Sequence, residues 1–121
     1  MGLFSAHEIT PGEITAKFGA ILIEGETVLK AFKTVRDTAF FTTHRFVLVD
    51  VQGITGSKVD VQSVPYRSIV RFSVETAGSL DLDADLKIWV SSAALPLAMK
   101  VSRNSDTVAI QRLLAEKVLR A

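Results

Sequence analysis

Asp81, Asp83 and Asp85 form the densest set of metal-type ligands in the chain. Alternating carboxylates can wrap a calcium ion, but an EF-hand loop also needs glycine at its sixth position and glutamate at its twelfth. Counted from Asp81, those positions hold Leu86 and Ser92. The spacing suits instead the solvated face of a turn and the strand after it, where every second side chain points the same way. His7 and His44 are the only histidines, and neither stands at a ligand or triad spacing from another candidate. Ser5, Ser57 and Ser68 lack a glycine elbow of the G-x-S-x-G type. Gly53 and Gly56 match no phosphate-binding loop or dinucleotide fingerprint and read as turn residues. The chain has no cysteine, which removes disulfides, thiolate nucleophiles and cysteine-bound metals. These residues predict no enzyme, no metal and no cofactor.

Cations offer a different chemistry. Lys30, Lys33 and Arg36 crowd the first hairpin. Gripping a phosphate takes several cations converging on its oxygens, usually from a loop long enough to form a bowl. Here the connection is only Thr34, Val35 and Arg36, with Asp37 beside the arginine to offset its charge. A solvated strand is the favoured reading, with weak contact to an anionic lipid or phosphorylated ligand as the alternative. Arg67 and Arg71 read as partners of Glu75 or of the aspartates at 81–85, and exposed pairs of that kind contribute ~0–1 kcal/mol. The net charge of +1 supplies no long-range field. Basic and acidic residues are interspersed and the aromatics follow strand-core spacing, so nucleic acid is not an expected partner.

Two apolar side chains point instead to protein contact. Ile54 sits at the tip of a glycine turn, away from any core. Trp89 shares a strand face with Asp85 and Lys87, opposite Leu86, Ile88 and Val90, which suits an interface or partial cover by the terminal helix.

The elements that position these groups follow from periodicity. The chain has 121 residues, 48% apolar and 22% charged, which fits one globular domain burying roughly two-thirds of its unfolded surface. Thr10, Pro11 and Glu13 carry helix-start signals, with Ile9 and Ile14 placed as a hydrophobic staple. Ile14, Phe18, Ile21 and Leu22 then recur at helical spacing up to Gly25, which predicts a helix over 11–24 whose apolar stripe needs cover from the domain or a neighbouring subunit. From Glu26 the period becomes two. Strands are expected at 27–33, 37–42, 45–51, 58–64, 69–76, 85–91 and 97–102. Phe46, Phe72 and one of Phe40 or Phe41 are the expected core aromatics. A last helix is capped by Ser105 or Asp106, with Val108, Ile110, Leu113, Leu114, Val118 and Leu119 as a broad apolar face. No signal-peptide pattern and no apolar run of ~20 residues appears, which predicts a cytoplasmic protein that is not an integral membrane protein.

Seven strands followed by one helix is the pleckstrin-homology (PH) order. The segments Thr42-Thr43-His44-Arg45, Gln52-Gly53, Val64-Pro65-Tyr66-Arg67-Ser68-Ile69, Phe72-Ser73-Val74-Glu75-Thr76-Ala77-Gly78 and Leu86-Lys87-Ile88-Trp89-Val90 resemble segments of a bacterial PH family. The resemblance covers about residues 20 to 120. It implies an all-β-dominated, PH-like barrel or sandwich of seven antiparallel strands capped by a C-terminal helix, with 1–24 as an N-terminal helical segment and 25–121 as the PH-like domain. It also implies assembly into ring-shaped homo-oligomers, and no settled biochemical activity. Together with the orphaned apolar stripe, this makes Ile14, Phe18, Ile54 and Trp89 the candidate oligomer interface. An unidentified protein partner is the remaining expectation.

Overall fold

The computed structural model describes residues 5–76 and 83–120. Asp81 and the Ala77-Gly78 end of one quoted motif lie outside the described residues. The chain forms two compact units, Glu8–Pro65 and Tyr66–Ala121 with Met1–His7.

The Glu8–Pro65 unit is built on a five-stranded antiparallel meander. Its order is β1 (His7–Ile9), β2 (Val28–Lys33), β3 (Thr38–Thr42), β4 (Arg45–Gln52) and β5 (Lys58–Pro65). β1 adds an eighth strand to the expected seven. Its three residues are too few to show a period. Helix α1 (Pro11–Phe18) starts as expected, with the Thr10 hydroxyl accepting from the Glu13 N–H at 3.2 Å. It ends earlier than expected, passing at Gly19 into a single tight turn, Gly19–Ile21. Glycine weakens a helix interior by about 1 kcal/mol, so the helix stops there. Gly25, at φ +81°, serves a later turn rather than capping the helix.

Register explains the core of this unit. Ala31 opposes Phe40 and Phe40 opposes Val47, which puts all three on one sheet face. Ile14 of α1 is buried among them, and the Phe18 ring stacks on Phe40 at 5.9 Å between centroids. On the opposite face Phe41 meets Phe46 at 4.7 Å. All of β3 is buried, so both Phe40 and Phe41 are core residues rather than one of the two. Phe32, paired with Ala39 on the Phe41 face, joins them, and an irregularity between Val28 and Lys30 brings Val28 to the Ala31 face.

The second unit carries β6 (Ile69–Glu75), β7 (Ala84–Val90) and β8 (Leu97–Val101) as a three-stranded antiparallel sheet. Ala6 flanks β8, donating to Lys100 O at 2.7 Å and accepting from Ser102 N at 2.8 Å. Helix α2 (Thr107–Val118) is capped by Asp106, whose carboxylate accepts from Ala109 N at 3.0 Å. It packs against β6 and the Tyr66–Ser68 turn. Only Ile110 and Leu114 of its expected broad face are buried, and Val108 and Leu119 are exposed. Phe72, an expected core aromatic, is half-buried on β6.

Candidate functional site

The most tightly bonded polar group in the Glu8–Pro65 unit is Glu26, which follows the Gly25 turn. Its side chain is 0% exposed. Arg45, at the start of β4, grips it with both prongs: Nε donates to Oε2 at 2.9 Å and Nη2 to Oε1 at 2.9 Å. The Thr42 hydroxyl donates to Oε2 at 2.6 Å and Ile23 N to Oε1 at 3.0 Å. Arg45 further reaches Ser63 Oγ and Ile21 O, each at 2.7 Å. The Arg45 guanidinium is the main cause that holds the Glu26 carboxyl down to about 2 from an ordinary 4.5, against the effect of burial. Arg45 is pushed up in turn by its bond to Glu26. This clamp ties the α1–β2 connection to β3, β4 and β5. It holds structure rather than presenting a reactive group.

Toward the other end of β3, at Thr38, α1 and two turns line an open groove of about 510 Å³. Lys17, Lys33 and Arg36 line it together with Phe18, Val51 and Ile54. The set differs from the one grouped by sequence. Lys30 is paired with Glu8 at 2.7 Å, whereas Lys17, distant along the chain, is brought in by the packing of α1. Arg36 does not lean on Asp37; its Nη2 donates to Gly53 O and latches one turn to the other. The Asp37 carboxylate turns toward Val51 N, accepting at 3.3 Å. Burial pushes its pKa up, and the neighbouring Asp50 carboxyl adds to the rise.

Of the four expected interface residues, Ile14 is enclosed within its own unit and Phe18 is stacked on Phe40. Ile54 is fully exposed, at 103%. Trp89 is half-buried, with the Arg71 guanidinium 4.1 Å above its ring. These two are cross-strand partners, so a cation–π contact rather than an ion pair to Glu75 accounts for Arg71. The aspartates near position 83 also have neighbours. Asp83 accepts from the Ser5 hydroxyl and from Arg103 N, bonds that pull its pKa down, and Asp85 pairs with Lys100 at 3.0 Å. His44 Nδ1 lies 2.6 Å from the Thr43 hydroxyl. Among the described residues no three His, Cys, Asp or Glu side chains are grouped to hold a metal, and no helix is long and apolar enough to cross a membrane.

Neither the clamp nor the groove was legible beforehand as a unit. The Thr42-Thr43-His44-Arg45 motif marked half of the clamp, but its partner Glu26 looked like an ordinary strand opening.

The chain is similar to other proteins over nearly its whole length. The sequence profile described as "Bacterial PH domain" matches residues 1–118. YjqA of Bacillus subtilis, described as uncharacterized, is 49% identical over 114 residues, covering 93% of this chain and 91% of the relative. A crystal structure of a DUF1696 family protein with a PH domain from Shewanella loihica superposes with a TM-score of 0.84 at 39% identity, covering 94% of this chain and 97% of that one. A PH domain from Shewanella amazonensis gives 0.74 at 44% identity, covering 91% and 99%. The two antiparallel sheets, the C-terminal helix and these likenesses together make the chain a member of the bacterial PH domain family, with its fold.

Proposed function

We propose that this chain is a non-catalytic, cytoplasmic binding and assembly module that joins copies of itself into a ring-shaped homo-oligomer. The observation that carries the reading is the Arg71–Trp89 pair on one face of the three-stranded sheet. Arginine and tryptophan are enriched where protein interfaces concentrate their binding energy. Ile54, bare at its turn, supplies a second accessible apolar contact. A ring needs two different patches that meet head to tail and close.

Gel filtration with light scattering should return a multi-subunit mass at micromolar concentration; a monomer mass would refute the reading. Trp89→Ala is expected to lower the subunit number while leaving the β-sheet circular dichroism intact. Deleting residues 1–24, the other obvious truncation, is a poorer test, because Ile14 and Phe18 cover the core of their own unit.

A second reading is a peripheral module that binds an anionic lipid or phosphorylated ligand through the first hairpin. The convergence of Lys17, Lys33 and Arg36 on one groove favours it. Each lysine near an anionic surface contributes about 1 kcal/mol. Lys17→Glu/Lys33→Glu should therefore weaken sedimentation with phosphatidylserine vesicles by roughly tenfold or more. Binding that survives both this reversal and added salt would dispose of the idea.

A further inference from the structure

Strand β5 is a long sheet edge with one strand neighbour, β4, among the described residues. At the other end of its sheet, β1 has only three residues. In the second sheet, β6 is irregular between Ile69 and Arg71, and Ala6 flanks β8. β5 runs for eight residues in unbroken register with β4, its one neighbour among the described residues. It is exposed from Lys58 to Ser63 and meets proline only at its last position. Such an edge offers a row of unpaired N–H and C=O groups, and proteins usually protect it with a bulge, a proline, a short strand or charged side chains; β5 has Lys58 and Asp60 in its first three residues and no charge from Val61 onward.

We infer that β5 pairs antiparallel with β5 of a second copy, across a two-fold axis at Val61. The seam rests on the self-association reading above but on a separate observation, and it names the partner strand and its register.

Charge and face decide that register. A two-fold perpendicular to the sheet sets each face against its like, so opposed residues have positions of the same parity. An axis at Asp60 would oppose two carboxylates, which is unfavourable. An axis at Val59 runs the pairing into the turn holding Gly53 and Gly56 after only Lys58–Asp60. An axis at Gln62 sets the Asp60 carboxylate against Val64. An axis at Val61 avoids all three and sets Lys58, whose long stem can carry its charge past Val64 into water, at the ends of the seam. Val61 then meets itself, Val59 meets Ser63, and Asp60 meets Gln62, an amide donor. Within the strand, Gln62 Nε2 already donates to Asp60 Oδ2 at 2.8 Å, so the two groups share a face and can exchange partners across the seam. Val59 and Val61 are 56% and 43% exposed in the single chain, and two copies would join them into one cluster of four valines. An isologous seam combined with a head-to-tail ring interface gives a paired ring with an even number of subunits.

Because the chain lacks cysteine, single-cysteine variants report the seam directly. Residues directly opposite have Cβ atoms about 4.5–5.5 Å apart, close to disulfide reach, so Val61→Cys should oxidise to a covalent dimer. Ser63→Cys would lie about 13 Å from its own copy, four residues along the strand, and should stay unlinked. Val61→Lys places two like charges on the axis and should halve the assembly mass, with association weakened roughly tenfold or more and circular dichroism unchanged. A multimeric wild type with no Val61→Cys cross-link and an undiminished Val61→Lys mass would overturn the seam while leaving self-association standing. Ser63→Cys linking as readily as Val61→Cys would overturn the register. A monomeric wild type would overturn both proposals.

Discussion

Replacing Arg45 with methionine should destabilise the protein by about 3–5 kcal/mol, read as a lower urea midpoint with an unchanged slope. The loss comes from the partner left behind. Glu26 would keep its charge in a site with 0% side-chain exposure, holding only the Thr42 hydroxyl and Ile23 N–H as donors. Ser63 and the Ile21 carbonyl lose a partner as well. The double variant Glu26→Leu/Arg45→Met removes both charges and should recover more than half of the loss, because an apolar pair carries no desolvation cost. A double variant as unstable as the single one would show that the damage is lost packing rather than a stranded charge.

The same clamp sets the acid limb of stability. Glu26 titrates at about 2 in the folded chain against 4.5 ordinarily. A depressed carboxyl stabilises the fold above its unfolded pKa and loses that contribution as pH falls through its folded pKa. The contribution, about 3 kcal/mol, is therefore complete above about pH 5 and declines toward pH 2. Asp83, also lowered, reinforces the decline, while Asp37, raised by burial, works against it. In Arg45→Met the slope between pH 5 and 2 should flatten markedly. An unaltered slope would mean that the carboxyl does not depend on the guanidinium.

Phe40→Ala is the other large expected effect, about 3–5 kcal/mol. Phe40 lies on the central strand, cross-strand from Ala31 and Val47 and under the Phe18 ring. Small neighbours cannot fill the space left behind, and α1 would lose its aromatic contact with the sheet. Phe72→Ala, on a half-buried side chain, should cost clearly less. Equal midpoints for the two variants would contradict the packing described for α1.

Seven of the eight strands among the described residues, and the second helix, were legible because alternation and capping are local. Arg45–Gln52 and Lys58–Pro65 lie within a residue of their expected limits, and Asp106 caps where a cap was expected. Period two says which side chains share a face, but not whether that face is covered. β3 is covered on both, so the choice between Phe40 and Phe41 had no answer in the sequence. Helix α1 shows the converse. Its stripe plainly needed cover, and only the fold could show that its own sheet covers Ile14.

What the sequence determined by itself is therefore seven of the strands, the starts of both helices, their order and the absence of cysteine chemistry, since each depends on residues a few positions apart. Tertiary structure alone decided that Glu26 meets Arg45, that Lys17 rather than Lys30 joins the hairpin cations, and that β5 stands last in the order of its sheet. The physical reason is the same in all three. A side chain's partner across a sheet or under a helix is fixed by strand register and packing, which bring together residues whose separation along the chain carries no signal.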